Sequence, residues 1–327
     1  METWRSAWER ANLAFYSQEK PDDHFRTSAS YPDVMGPAFL SLLDDYPTSE
    51  PHQIVDVGGG NGRLLSAMRA AWIDLGRDPA LLECTLVDIR ASESPHVVTV
   101  VGDARTCLNR IFPRGIHGLL IAHEWLDDIP CDVVEVDDLG KRRLVLVDVE
   151  TGRESFGPAV DDPVAVRDFG FDERGAHWLD TWWPIEEPGS RAEVGITRDD
   201  AWRTCVDLVA TGVAVMVDYT HTRNTRDPQG SLAGYVKGRR VPPIPDGSCN
   251  ITAHVAVDAL TDISTPPQHR VRSQRDALAQ LPLPDDPLAR LYAEGRLATL
   301  RAANGLGNFT WLEHHAGRPA RHATMTS

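Results

Sequence analysis

Ile54-Val55-Asp56-Val57-Gly58-Gly59-Gly60-Asn61-Gly62-Arg63-Leu64-Leu65 is the stretch on which the fold turns. Ile54 to Val57 has the character of a short buried strand. Four glycines within five residues follow. Leu64, Leu65, Ala67, Met68 and Ala71 then recur at helical spacing. The unit reads as strand, glycine turn, helix. Downstream, Thr85-Leu86-Val87-Asp88 reads as a second strand and Val97 to Val101, ending at Gly102-Asp103, as a third. Leu119 to Ala122, ending at His123-Glu124, reads as a fourth. Short apolar strands separated by helix-length segments predict an α/β fold, a mostly parallel sheet covered on both faces.

The flanks give the organisation. Residues 1–50 read as an N-terminal helical segment, with Trp4, Trp8, Leu13 and Phe15 on its apolar face. Pro21-Asp22-Asp23 breaks it, a polar loop follows over Phe25 to Ala29, and helical spacing resumes at Val34-Met35. Residues 51–149 form the first part of the α/β domain. They include a hairpin, Val133–Val136 and Leu144–Val149, expected beside the fourth strand. Residues 150–197 read as an irregular insertion whose Trp178, Trp182 and Trp183 suit a lid, a partner surface or a small satellite core. Residues 198–327 complete the domain. They hold a helix from about Arg198 to Thr211, a strand over Val213–Tyr219, loops over 223–250 and helices near 273–281 and 287–303. A closing strand at Phe309–Leu312 and a frayed tail over 316–327 end the chain. No internal repeat is visible.

The 327 residues are 42% apolar and 25% charged, ordinary for a globular protein, and carry a formal net charge of −15. That charge argues against a nucleic-acid partner, which needs positive patches. No apolar run reaches the length of a membrane helix, and Met1-Glu2-Thr3-Trp4-Arg5 lacks a signal-peptide pattern, so a cytoplasmic location is expected. Five cysteines, an odd number with no CxxC pair, fit neither a disulfide framework nor a zinc ribbon, and no metal is expected.

The glycine turn narrows the ligand. A dinucleotide turn wants GxGxxG, which would put its third glycine at position 63, and that position is Arg63. The glycines fall instead at Gly58, Gly60 and Gly62. This GxGxG form after a first strand resembles the motif of class I S-adenosylmethionine methyltransferases. The resemblance implies a Rossmann-like sheet and the cofactor S-adenosyl-L-methionine. Asp56 would hold the ligand's amino group, Asp88 the ribose hydroxyls, and Asp103, in Gly102-Asp103-Ala104, the adenine amino group. Each acid is also a reasonable helix cap or turn residue, and what sets them apart is their order at successive strand ends.

A more specific resemblance begins at Ala122-His123-Glu124-Trp125-Leu126-Asp127-Asp128-Ile129-Pro130. It resembles the Asn-Glu-x-x-Asp-Ala-Leu-Pro signature of the MidA, or DUF185, family, which includes the mitochondrial complex I assembly arginine methyltransferase. His24-Phe25-Arg26-Thr27-Ser28, Val217-Asp218-Tyr219, Gly230-Ser231-Leu232, Pro245-Asp246-Gly247, Asn250-Ile251-Thr252-Ala253-His254-Val255 and Gly305-Leu306-Gly307-Asn308-Phe309 resemble further family blocks in order. Together they span roughly residues 20–312. The sequence departs from the family at His123 (Asn), Thr220 (Gly), Asn250 (Asp) and at Asp56 and Asp88, where Glu is common.

The resemblance implies a methyltransferase acting on a protein arginine, with a respiratory complex subunit as one such partner. Glu124, Asp127 and His123 become the candidate catalytic residues, while Thr27 and Ala104 join the cofactor set. Capping is the competing role for Asp127 and Asp128. A small-molecule N- or O-methyltransferase shares the same cofactor half. An assembly factor that binds the nucleoside without catalysis is the non-enzymatic alternative, kept open by His123.

Overall fold

The computed structural model describes residues 1–18, 27–263, 269–283 and 285–317. Seven strands make the main sheet: β1 (His52–Val57), β2 (Leu82–Asp88), β3 (Val97–Val101), β4 (Ile116–His123), β5 (Val209–Asp218), β6 (His269–Ser273) and β7 (Thr310–Ala316). Their order is β6-β7-β5-β4-β1-β2-β3. The pairs β5–β4, β4–β1, β1–β2 and β2–β3 are parallel, and β6–β7 is antiparallel. Ile54, Val55, Val57, Leu119, Leu120, Ile121, Val213 and Val215 have no exposed surface, which accounts for the unbroken apolar runs of the central strands.

This sheet belongs to a compact unit of residues 28–123, 204–217 and 268–327. The helix Arg63–Asp74 leaves β1 through the glycine turn and buries Leu64, Leu65, Met68 and Trp72. On β7, fully buried Trp311 stacks on Phe39 with ring centroids 4.7 Å apart. Buried Gln274 donates to the carbonyls of Leu300 and Leu306. The last helices are Gln274–Ala277 and Pro287–Leu300; the first ends at its C-cap Leu278, short of the expected residue 281.

A second unit holds residues 1–27, 124–203 and 218–267. Its five-stranded sheet runs Glu2–Thr3, Arg142–Val147, Asp132–Val136, Arg191–Val194, with Glu154–Ala159 also paired to Arg142–Val147. The expected hairpin is present, antiparallel with Val134 opposite Leu144. It does not extend the main sheet beside the fourth strand, however, because β5 occupies that position.

The stretch read as an irregular insertion is ordered structure. Asp162, before Pro163, caps Pro163–Phe169, and Asp172 caps Glu173–Trp182. These N-cap signals place two short helices where apolar periodicity alone is weak. Trp178 and Trp183 pack with Val134, Val136 and Leu144 as core. The N-terminal helix Trp4–Gln18 buries Trp4, Ala7, Trp8, Ala11 and Phe15 and leaves Leu13 exposed. Residues 233–236, 239–241 and 250–252 form a small antiparallel sheet within the stretch expected as loops. His24-Phe25-Arg26 and residues 318–327, the bulk of the expected tail, lie outside the described residues. No helix among the described residues is long and apolar enough to cross a membrane.

Trp311→Ala removes the stacking of Trp311 on Phe39 in the first unit's core. It should lower unfolding stability by about 3–5 kcal/mol, read by denaturant titration. A loss below about 1 kcal/mol would show that the site collapses around the deletion.

Candidate active site

β1 ends with Asp56 and Val57, and the chain then turns through three left-handed residues, Gly58 (φ 69°), Gly60 (φ 62°) and Gly62 (φ 71°). Side chains are strained in that region, so the GxGxG spacing follows directly from the turn. A Cβ at Gly59 would come within 2.1 Å of Asp56 Oδ2, so the loop lies against the Asp56 carboxyl. That carboxyl has no exposed surface and no hydrogen-bond partner for either oxygen. Burial, reinforced by the Asp88 charge, pushes its pKa from 3.8 up to about 8.

Asp88, at the end of β2, is buried. One oxygen accepts from the Gly60 amide at 2.9 Å and the other from the Arg90 amide at 2.9 Å. Asp88 therefore fixes the glycine turn from the neighbouring strand. Asp103 caps the helix Ala104–Ile111, accepting from the Arg105 amide, and pairs with the Arg105 guanidinium at 2.6 Å. Its capping role is realised, and buried Ala104 opens the helix. Thr27 lies in the second unit, whereas Asp56, the glycine turn, Asp88, Asp103 and Ala104 share the first.

His123 ends β4. Its Nε2 lies 2.7 Å from the Ser28 hydroxyl, and its ring meets Phe39 edge-on. Burial pushes its pKa down to about 3, so it is neutral across the physiological range.

In the second unit the chain continues at once into an acidic turn. Glu124 has φ 54°, one of three non-glycine residues with positive φ among those described. Asp218 Oδ2 accepts from the amides of Leu126 (3.1 Å) and Asp127 (3.2 Å), and its Oδ1 from Tyr219 (2.9 Å). Asp127 is buried with one unpartnered oxygen. Burial raises its pKa well above 3.8, reinforced by the charges of Asp218, Asp128 and Glu124 and opposed by Arg198. Asp218 moves the same way for the same first cause, with Glu124 adding to it. Asp128 accepts from the Tyr16 hydroxyl and from Asn250 Nδ2 (3.2 Å). Burial outweighs those bonds and pushes it up to about 6.

Sequence reasoning missed Arg198. It is 2% exposed. Its guanidinium donates to the carbonyls of Asp127 (2.8 Å), Ile129 (3.0 Å), Ala253 (2.8 Å) and His254 (3.0 Å). A lone arginine in a helix carries no sequence signal of burial. Tyr16 and Asn250 were equally unmarked as partners of Asp128. The Gly230-Ser231-Leu232 block is structural: the amides of Ser231 and Leu232 donate to buried Glu193 at 2.9 and 3.1 Å. All five cysteines are free and buried. Among the described residues no group of three or more His, Cys, Asp or Glu is placed to hold a metal ion.

Residues 35–270 match a protein family whose description reads "Putative S-adenosyl-L-methionine-dependent methyltransferase". The chain belongs to this family. S-adenosyl-L-methionine is accordingly the cofactor, and methyl transfer the class of reaction. Among solved structures, a COG1565 superfamily member from Burkholderia thailandensis bound to S-adenosyl-homocysteine is 22% identical. The match covers 97% of this chain and 88% of that one, with a TM-score of 0.69. A native structure of a COG1565 superfamily protein from the same organism is 19% identical over 96% and 94% of the two chains, with a TM-score of 0.64. Both likenesses support the methyltransferase fold. No curated protein matches the chain in sequence.

In this methyltransferase the Asp56 carboxyl gives a pH test that needs no ligand. A carboxyl whose folded pKa is raised confers stability at low pH that is lost as pH climbs through the folded value. Asp56→Asn should therefore gain on the wild type between about pH 5 and about pH 9, by on the order of a few kcal/mol. The check is Tm against pH for both proteins. A Tm difference independent of pH would contradict the buried, ionising carboxyl.

Proposed function

We propose that this enzyme transfers a methyl group from S-adenosyl-L-methionine to an arginine side chain of a protein. The observation that carries the reading is the acidic turn: Glu124, Asp127, Asp128 and Asp218 act on one another electrostatically. The guanidinium beside them, Arg198, makes its four hydrogen bonds to backbone carbonyls. Such a concentration of carboxyls suits a cationic acceptor.

The residues of the first unit fit the cofactor. An orphaned, fully buried carboxyl suits a ligand ammonium, so Asp56 takes that role. The left-handed glycines at 58, 60 and 62 let the backbone approach the methionine portion. Asp88 takes the ribose hydroxyls, and Asp103 and Ala104 the adenine. When bound, the cofactor supplies an electrophilic sulfonium methyl.

An arginine guanidinium is charged and poorly nucleophilic. Glu124 binds it and localises its charge away from one nitrogen. Asp127, whose pKa burial raises above the usual carboxylate range, receives the proton that this nitrogen gives up. His123, neutral and tied to Ser28, holds the end of β4 instead of moving a proton. A subunit of a respiratory complex is the acceptor favoured by the MidA resemblance.

Labelled S-adenosyl-L-methionine incubated with host lysate should place label on arginine of a protein. Glu124→Gln should cut transfer by on the order of 10²-fold and leave S-adenosylhomocysteine affinity within about threefold, because the lost contact is on the acceptor side. Label recovered on a small molecule would overturn the protein-arginine reading. A collapse of cofactor affinity with normal transfer at saturating cofactor would move Glu124 into the cofactor site.

A further inference from the structure

The geometry points to Asp218 and Arg198 as positioning residues that hold the Glu124–Ile129 turn by its amides and its carbonyls respectively and so aim Glu124 at the acceptor. The inference rests on the acceptor role of Glu124. It assigns a function to two residues that touch neither cofactor nor acceptor in that reading.

Three observations in the second unit carry it. First, Glu124 sits at φ 54°, a left-handed conformation that disfavours a residue bearing a Cβ. Strain of that kind persists only where the surroundings over-determine it. Secondly, the amide side of the turn is held by one group: Asp218 Oδ2 accepts from both Leu126 and Asp127. Thirdly, the carbonyl side is held by another. Arg198 donates to Asp127 and Ile129, while its remaining contacts reach Ala253 and His254, so the turn is tied to the Thr252-Ala253-His254 segment. The Ala253 amide closes the link by donating to the Asp127 carbonyl at 3.1 Å. Downstream of the strained residue, the turn is thus held at the Leu126 and Asp127 amides by a carboxylate and at the Asp127 and Ile129 carbonyls by a guanidinium.

Neither group is replaceable by a near neighbour. A lysine at 198 has one nitrogen where the guanidinium engages four carbonyls with three. An asparagine at 218 keeps the shape but offers one acceptor oxygen where the carboxylate uses two.

The test uses the full-length enzyme with Asp218→Asn and Arg198→Lys. Leu144→Ala serves as a destabilised control in the same unit, since Leu144 packs in the hairpin core and takes no part in the turn's hydrogen bonds. Three quantities are read below the melting range of every variant: total label transferred to lysate at saturating S-adenosyl-L-methionine, S-adenosylhomocysteine affinity, and amide exchange at Leu126 and Asp127. The expected result for both clamp variants is turnover lower by on the order of 10²-fold. Affinity should stay within about threefold, and exchange should accelerate at those two amides. The control should keep its turnover per folded molecule. Near-normal turnover in a clamp variant whose Leu126 and Asp127 amides exchange faster would overturn the positioning role. Unchanged exchange would overturn the clamp itself. Label on an acceptor other than arginine would defeat the preceding functional reading, yet leave the comparison of turnovers intact. No transfer at all by the wild type would overturn both.

Discussion

A buried carboxyl without a partner is the constraint around which the cofactor half is built. Asp56 is enclosed at the end of the central strand, and burial makes its charge expensive. The glycines at 58, 60 and 62 supply the left-handed turn that wraps it, and Gly59, having no Cβ, leaves the space that the carboxyl occupies. Asp88 holds the turn by its Gly60 amide. Parallel pairing of β1 with β2 sets Val57 beside Val87 and so delivers the two acids from adjacent strand ends. Groups held at such a cost cluster at functional sites.

The acidic turn solves a related problem differently. Its carboxyls are mutually repulsive, and the buried guanidinium nearby satisfies carbonyls instead of neutralising one acid by direct contact. Backbone geometry is thereby fixed by the guanidinium. Chain connectivity links the two halves: His123 closes β4 of the first unit and Glu124 opens the turn of the second.

Much of the first unit was legible in the sequence because its signals are local. The strand–glycine–helix stretch, the apolar runs of β1 to β5 and the acids at their ends are all read within a few residues. The pairing of β6 with β7 was hidden, since His269–Ser273 and Thr310–Ala316 are brought together by tertiary contact alone. The hairpin was readable as a hairpin, but its sheet was not, because alternation fixes a strand's face and not its neighbour. In the tryptophan stretch the helix caps Asp162 and Asp172 carried the information, and apolar spacing did not. At the site, the MidA resemblance marks Glu124 and Asp127 as candidates. Arg198, whose importance lies in burial and in bonds to four carbonyls, has no such mark. Asp103 shows the opposite case, a residue whose capping role and proposed ligand role share one sequence signature.

The most direct measurement of the central claim is the proton balance of cofactor-product binding. S-adenosylhomocysteine should be titrated into the enzyme calorimetrically near pH 7 in two buffers of different ionisation enthalpy. If Asp56 receives the ligand ammonium, a carboxyl with a pKa of about 8 must ionise as the ligand enters. The observed enthalpy should then depend on the buffer with the slope of about one proton released per site, and Asp56→Asn should abolish that slope. Tight binding with an enthalpy independent of buffer would contradict the account.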